Sequence, residues 1–364
     1  MSENRLKVID SLKGISSIII ACIYHLGTGG FYSDRGLFLE KNIIMSFFYN
    51  YGFYFVEFFL MLSGFIFFYV YRDKIIRQNI NFNSFIIKRY IRICPLMWTT
   101  LFTSFLGQVI FYYLEGNFWL DTGNNTVFTL FLHILGLQKF FPINQSWNYP
   151  AWSLSVFLVC WIIFFIIIKV SKGNMSIQII ASLSMILLGI TLQVNLSFPL
   201  PLLNSEIARG YIAFFAGGII YYIYEYNSNI KFIKRGGGIV LICVVYILHN
   251  VINISIEPLG LILTLIFFPL VLLSCLEINW LNKILSLKPL VYLGKVSFSI
   301  YLCNFTVQIF TVILNSKLNN CLNYSSWEFF VGNILFQILI GSIFYKYIEI
   351  NLSQRLYNKI FKIG

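Results

Sequence analysis

Long apolar segments alternate with short polar ones along the whole chain. Each apolar segment is close to the ~20 residues that an α-helix needs to cross a hydrocarbon core of about 30 Å. The pattern therefore predicts ten membrane-spanning helices. They cover residues 10–28, 44–70, 95–114, 152–168, 177–194, 207–226, 238–253, 258–276, 290–313 and 329–348.

The composition fits this class of fold. Hydrophobic residues make up 58% of the 364 positions and charged residues only 11%, whereas soluble domains carry about 25% charged residues. A soluble fold has no interior large enough for so much apolar surface. We therefore expect an all-α, polytopic integral membrane protein that forms one transmembrane domain over residues 1–364.

The basic residues predict the orientation of the spans. A net charge of +12 is compatible with binding to nucleic acid or to anionic lipid. With both termini in the cytoplasm, however, 21 of the 26 Lys and Arg residues fall in cytoplasmic segments, as the positive-inside rule requires. Counting Val127–Phe141, which carries His133 and Gly136, as a span would reverse this bias, so we interpret it as a re-entrant or interfacial segment. The expected partner is the lipid bilayer and not nucleic acid.

The first span carries the most unusual residue of the chain. At 1.5 Å per residue, His25 lies roughly 18 Å along the helix from Lys13, past the middle of the membrane. An ionisable residue at that depth faces a cavity or a partner and marks a functional site by default. A neutral imidazole takes a proton from a hydroxyl near pH 7, although a hydrogen-bonded packing histidine is the alternative. We interpret the lone histidines His133 and His249 as structural.

Two further charged residues lie in or beside predicted spans. Glu57, in the second span, must pair or take up a proton, so it either orients His25 or pairs with an arginine. Arg209 begins a span on the outer side, where the charge bias disfavours it, so it either pairs with Glu206 or binds substrate.

Arg89 and Arg92 are three residues apart and therefore share a helix face. They end the amphipathic piece Asn81–Arg92, which we expect in the inner interface, with Pro95 in the first turn of the next helix. A pair of guanidinium groups suits phosphate, although anchoring to anionic lipid is the alternative.

The loop between residues 115 and 151 is the longest of the predicted outer loops and is rich in aromatic residues. Trp147 and Trp152 either stack on a sugar ring or form an interfacial aromatic belt. The seven cysteines are scattered without a CxxC pair, and the chain has no Walker loop and no GxSxG elbow. The sequence therefore predicts no metal and no permanently bound cofactor.

Four segments, IDSLKGI…YH, FFLMLSGF, KRYIRICPLMW and LGKVSFSIYL, occur in this order, and AWSLSV at 151–156 is a fifth. The set resembles the acyltransferase 3 family of bacterial integral-membrane acyltransferases. The resemblance covers essentially the whole chain. It implies a ten-span domain in the cytoplasmic membrane that moves acetyl groups from cytoplasmic acetyl-CoA to hydroxyls of cell-surface carbohydrates such as O-antigen, capsule or exopolysaccharide.

The resemblance also implies roles for individual residues. His25 matches a histidine held to be catalytic, and Lys13 matches the basic residue before it. Arg89 and Arg92 match paired arginines linked to the acyl donor, and Glu57 falls where the family often has an acid.

Three departures from the family pattern stand out. Eleven residues separate Lys13 from His25 where the family has ten, which would rotate one relative to the other by about 100°. Phe157 stands where a glutamate is common, and Asn304 stands where many members have a histidine.

Together these features predict a membrane O-acyltransferase. His25 acts as general base or transient acyl carrier, and polar donors including Asn304 stabilise the tetrahedral oxyanion. The alternative is a non-enzymatic translocase of polysaccharide or lipid-linked sugar, which has no need of the Arg89/Arg92 pair.

Overall fold

The computed structural model describes residues 3–25, 43–120, 123–141, 143, 146–195, 200–226, 256–319 and 321–361. Helix accounts for 85% of these residues, and none of them belongs to a strand. A chain that crosses hydrocarbon must satisfy its backbone polar groups internally, and continuous helices do so. The prediction of an all-α membrane protein is confirmed.

The described helices follow one another as fourteen α-helical segments. They are α1 Glu3–Ile18, α2 Ile43–Tyr51, α3 Phe55–Ile76, α4 Phe82–Glu115, α5 Val127–Leu135, α6 Trp152–Val170, α7 Met175–Asn195, α8 Ser205–Tyr226, α9 Ile256–Ile262, α10 Phe268–Glu277, α11 Asn279–Leu285, α12 Lys288–Lys317, α13 Trp327–Phe344 and α14 Ser353–Phe361. Three π-helical segments continue α1, α9 and α13, at Ile19–Tyr24, Leu263–Phe267 and Tyr345–Leu352 respectively.

Within the described ranges, eight helices are long and apolar enough to cross a membrane. They coincide with eight of the ten predicted spans. The first predicted span, 10–28, is not among the eight; it is helical as far as His25, and residues 26–28 lie outside the described part. The predicted span 238–253 lies wholly outside it. Helix α5 has nine residues, too few to cross.

The prediction that Pro95 begins a new helix is wrong. Helix α4 runs unbroken for 34 residues through Pro95, which at 1.5 Å per residue gives about 51 Å. Proline removes one backbone hydrogen bond, but neighbouring helices and side chains in membrane proteins make good the loss. The amphipathic piece that ends at Arg92 is therefore the first part of the same continuous helix that crosses the membrane.

The described chain divides into two compact units. Unit 1 comprises Met1–Gly14, Val56–Phe82 and Val156–Gly294, and unit 2 comprises Ile15–Phe55, Asn83–Ser155 and Lys295–Gly364.

In unit 1, helices α3 and α8 approach closely because glycine faces backbone on both sides. A Cβ at Gly64 would overlap the carbonyl of Phe214, and a Cβ at Gly217 would overlap that of Met61. Such close approach through small residues is typical of helix pairs in membranes.

In unit 2, α12 packs against α4 on one side and α13 on another. Ser104 of α4 lies 2.8 Å from the Thr306 hydroxyl of α12. A Cβ at Gly341 of α13 would overlap Ile300 of α12.

Helix α13 buries polar residues and exposes apolar ones, the reverse of the pattern in a soluble protein. Its buried positions are Phe330, Asn333, Gln337 and Gly341, whereas apolar residues such as Leu335 are exposed. Lipid is the natural surrounding for such an outer face. The polar residues that position the site below therefore point inward.

Candidate active site

His25 directly follows the π-helical turn that continues α1. Its backbone N–H donates to the carbonyl of Ile20, five residues earlier, and π-turns of this kind occur frequently at functional sites. The side chain is 6% exposed. Its ring lies 5.3 Å from that of Tyr24 and 5.4 Å from that of Tyr149, measured between centroids.

Two carboxamides from α12 and α13 hold the imidazole. The Asn304 side-chain amide donates to Nδ1 of His25, and Gln337 Nε2 donates over 3.0 Å to Asn304 Oδ1. Because a carboxamide NH₂ only donates, Nδ1 is the accepting nitrogen and the neutral ring carries its proton on Nε2. Turning both amides over would reverse the two hydrogen bonds and move the proton to Nδ1. The pair Asn304–Gln337 therefore decides which ring nitrogen is basic.

The segment before α6 places Tyr149 against His25 and is fixed on both sides of that tyrosine. Asn148 Nδ2 donates to the Thr100 hydroxyl over 3.1 Å, and the Tyr301 hydroxyl donates to the Pro150 carbonyl over 2.9 Å. These bonds tie the segment to α4 and α12. Tyr149 is consequently held as a wall beside the imidazole.

Arg89 and Arg92 both lie on α4 but differ in their contacts and in their exposure. Arg89 donates to the Phe85 carbonyl over 2.7 Å and lies 3.5 Å from the centroid of the Phe85 ring. The Arg92 side chain is 74% exposed and approaches the buried carboxylate of Glu349 at 3.9 Å. The other oxygen of Glu349 accepts a 2.8 Å hydrogen bond from Ser299 of α12. Arg92 is thus held by one contact and leaves most of its guanidinium accessible to an anion.

The C-terminal helix α14 fixes the start of α4. Lys88 lies over the rings of Tyr357 and Phe361 at 5.7 and 5.5 Å, and the Ser353 hydroxyl donates to the Arg92 carbonyl over 3.3 Å. The part of α4 that carries the accessible guanidinium of Arg92 is therefore held in place by α14.

The groups of unit 2 are ordered along α12. Ser299, with Glu349 and Arg92, precedes Asn304, with His25, by five residues, or about 7.5 Å of helix. An anion-binding cation and a potential base are thus arranged along one helix.

Residues 6–345 match the family model of an acyltransferase domain, that of acyltransferase 3. The chain belongs to the acyltransferase 3 family. No curated protein and no solved structure matches it. The protein is a multi-pass membrane acyltransferase.

In this acyltransferase the longer spacing between Lys13 and His25 has a structural counterpart. The π-helical turn Ile19–Tyr24 lies between them, and a π-helix takes one residue more per hydrogen-bonded turn than an α-helix. The extra residue is therefore taken up locally by the backbone. Lys13 itself is half-buried on α1.

Glu57 and Arg209 come together in unit 1. Arg209 Nε and Nη2 donate to the two oxygens of Glu57 over 2.5 and 2.9 Å. Of the alternatives that the sequence left open for Glu57, pairing with an arginine is the one observed. Arg209 thus makes a forked ion pair with Glu57.

The two tryptophans are packing residues in the acyltransferase structure. The Trp147 ring is 5% exposed and contacts Phe105 and Phe118, and its indole N–H donates to the Thr126 carbonyl over 2.9 Å. Trp152 is 8% exposed. A platform for sugar stacking needs an accessible ring face, which neither offers here.

Phe157 and His133 are buried. Phe157 packs beside Trp161. His133 Nε2 lies 2.9 Å from the Ser146 hydroxyl. Burial, with a smaller effect of Lys139, lowers the pKa of His133 to about 3. His249 lies outside the described residues.

Three residues of the site escaped sequence reasoning. Gln337 and Glu349 are polar side chains at or beside the last span, and the cost of burying such groups was the signal that could have found them. Tyr149 gave no signal, because tyrosines are frequent throughout this chain.

Proposed function

We propose that this acyltransferase moves an acetyl group from cytoplasmic acetyl-CoA to a hydroxyl of a cell-surface carbohydrate, such as O-antigen, capsule or exopolysaccharide, in a bacterial cytoplasmic membrane. The observation that carries the proposal is the buried imidazole of His25, held by Asn304 on the same helix that supports Arg92 through Ser299 and Glu349.

Arg92 binds the phosphates of the donor in this proposal. Its side chain is 74% exposed and is held by only one carboxylate contact, and guanidinium groups match phosphate geometry. Arg89 adds positive charge for the same ligand. Acetyl-CoA is a substrate that comes and goes, and no cofactor stays bound.

His25 performs the proton transfer. As general base it takes the proton of the acceptor hydroxyl at Nδ1, where the hydroxyl replaces the Asn304 amide as hydrogen-bond donor, while the hydroxyl oxygen attacks the thioester carbon. The tetrahedral intermediate then collapses, the C–S bond breaks, and the CoA thiolate takes the proton back. In the covalent variant the imidazole nitrogen attacks the thioester carbon, the C–S bond breaks and the CoA thiolate leaves with the ring proton. The acceptor oxygen then attacks the acetyl-imidazole, the C–N bond breaks, and the acceptor proton returns to the imidazole nitrogen. Asn304 fixes the ring in both versions and donates hydrogen bonds near the oxyanion.

Glu57 and Arg209 contribute through charge, and Trp147 and Trp152 contribute through packing. Glu57 holds Arg209 in a forked ion pair, which keeps Arg209 in place to bind substrate. Trp147 and Trp152 act on the acceptor indirectly by fixing the segment that carries Tyr149.

Thermal unfolding of the purified protein with and without CoA tests the donor half of the proposal. We expect CoA to raise the unfolding temperature of wild type and to do so less in Arg92→Ala. Incubation of membranes with radiolabelled acetyl-CoA tests the acceptor half, and we expect label in the carbohydrate fraction. No stabilisation by CoA and no label transfer would contradict the proposal and favour a translocase.

A further inference from the structure

Helices α12 and α13 meet along a ladder of positions four residues apart. Gly341 faces Ile300, and Gln337 donates to Asn304. One step moves four residues back on α13 and four residues forward on α12, as two antiparallel helices require. The next step brings Asn333 to the level of Gln308.

Gln308 and Asn333, the next rung of this ladder, are buried polar side chains that have hydrogen-bonding atoms without a partner among the described residues. Gln308 is 3% exposed and Asn333 is 7% exposed. Within the described part of the chain, Gln308 Nε2 and Asn333 Nδ2 have no hydrogen-bond partner, and neither has Gln337 Oε1 one rung below. Polar atoms buried at membrane depth are costly unless they are hydrogen-bonded. Three such atoms on adjoining rungs of one seam are difficult to explain as helix packing alone.

The rung also has a defined place relative to the catalytic groups. Along α12 the order is Ser299, which bonds the Glu349 that contacts Arg92, then Asn304, which bonds His25, then Gln308. Gln308 lies four residues, or about 6 Å, beyond Asn304. Arg92 and the Gln308/Asn333 rung therefore lie on opposite sides of His25 along this helix.

The chemistry of the rung matches hydroxyl groups. Two amide N–H donors and one carbonyl acceptor are available, and a hydroxyl both donates and accepts. A carbohydrate presents several hydroxyls within a few ångströms of one another. A thioester or an acyl chain offers no comparable set of donors.

We propose that Gln308, Asn333 and the free oxygen of Gln337 form the binding site for the acceptor carbohydrate, beside His25 and opposite the donor-binding Arg92. This inference rests on the proposed function and names the acceptor site within it. The unpaired amide atoms bind sugar hydroxyls and orient one of them toward the imidazole.

Asn333→Leu and Gln308→Met test the site because they keep the size of the side chain and remove its hydrogen-bonding atoms. Ser342→Ala is the matched control, since Ser342 lies on the same helix and bonds the Ile338 carbonyl of its own turn. The probes are the methyl glycosides of glucose, rhamnose and N-acetylglucosamine at millimolar concentration. Three quantities are measured on the full-length protein in nanodiscs: hydrolysis of acetyl-CoA, acetyl transfer to the glycoside, and the unfolding temperature with and without glycoside.

We expect at least one glycoside to stabilise wild type and to be acetylated. Both variants should lower kcat/KM for the glycoside about tenfold, as expected for loss of a hydrogen bond to a buried partner, while hydrolysis stays within about twofold and Ser342→Ala behaves like wild type. A structural role predicts the opposite, because an apolar isostere then raises the unfolding temperature without affecting transfer.

The outcomes separate this inference from the proposed function. Unchanged transfer in both variants would overturn the site, and so would active hydrolysis in wild type with no glycoside bound or acetylated. Stabilisation by a glycoside in wild type and not in Asn333→Leu, without any hydrolysis or CoA binding, would keep the site and overturn the acyl-transfer proposal.

Discussion

Two helix pairs, α3–α8 in unit 1 and α12–α13 in unit 2, pack through the same kinds of contact but differ in the role of their polar residues. Each pair combines a glycine that faces its partner helix with a polar contact. In α3–α8 the polar contact is the forked pair of Glu57 and Arg209, in which both carboxylate oxygens are bonded. In α12–α13 it is the neutral pair of Asn304 and Gln337.

The two helix pairs differ in how many of their polar atoms remain without a hydrogen-bond partner in the described part of the chain. A forked ion pair uses both oxygens of Glu57 and fixes two helices against each other. The carboxamides of α12–α13 keep unpaired atoms on Gln308, Asn333 and Gln337, counted over the residues the structure covers. A closed charged pair stabilises structure, whereas an incompletely bonded neutral seam beside a histidine has capacity left for a ligand.

Breaking the charged pair should have the largest effect on stability. Arg209→Met leaves the Glu57 carboxylate, 3% exposed, without its counter-charge, and we expect the free energy of unfolding to fall by about 3–5 kcal/mol. Thermal unfolding in detergent measures this. The double variant Glu57→Gln/Arg209→Met should recover most of the loss, and a single variant as stable as wild type would contradict a structural role.

Breaking the neutral pair should affect catalysis and leave stability nearly unchanged. Gln337→Leu frees the Asn304 amide to turn, so that Nδ1, the nitrogen that takes the substrate proton, is itself protonated in a larger fraction of His25. We expect kcat to fall about tenfold, which corresponds to one hydrogen bond of about 1.4 kcal/mol. Because Gln337 also takes part in the proposed acceptor site, the decisive readout is acetyl-CoA hydrolysis, in which no carbohydrate participates. Hydrolysis that is unaffected would show that Gln337 does not position the imidazole.

Removing the accessible cation should affect only the donor. Arg92→Ala loses an exposed phosphate contact, and we expect KM for acetyl-CoA to rise several-fold with kcat little changed. Steady-state kinetics at varied acetyl-CoA measures both constants. Arg77→Ala, another exposed arginine near the end of α3, is the control; an equal rise in its KM would indicate a general charge effect.

The smallest expected effect concerns pH. Burial lowers the pKa of His133 to about 3, whereas a histidine in the unfolded chain titrates near 6.5. Between pH 7 and pH 5 the unfolded chain takes up a proton that the folded protein does not, so stability falls as the pH falls. We expect the unfolding temperature to drop by a few degrees over this range. The drop should be smaller in His133→Gln; an equal drop would assign it to other groups.

The hydrophobic pattern predicted the helices well because membrane spans depend on length and apolarity alone. Eight predicted spans correspond to described helices, and the distinction between Val127–Leu135 and a span followed from its length. The pattern could not show that α4 continues through Pro95, since that depends on neighbouring helices. It also could not show the π-turn before His25, because single-turn changes of helix type leave no periodic trace.

The site was predicted residue by residue but not as an arrangement. His25, Asn304, Arg89 and Arg92 were singled out from depth, spacing and resemblance, and the structure brings Asn304 onto His25. Which side chain supports which depends on contacts between segments far apart in the chain. Gln337 lies 33 residues from Asn304, and Glu349 lies 257 residues from Arg92, so neither pairing follows from local sequence.

The central claim is that His25, held by two carboxamides, is the chemical centre of the molecule. It is tested most directly by acetyl transfer from radiolabelled acetyl-CoA in membranes that carry wild type, His25→Ala or His249→Ala at matched protein levels. We expect His25→Ala to lose about 10²- to 10⁴-fold in rate, as for removal of a general base, while it still binds CoA and His249→Ala retains wild-type activity. Equal transfer by wild type and His25→Ala would contradict the claim.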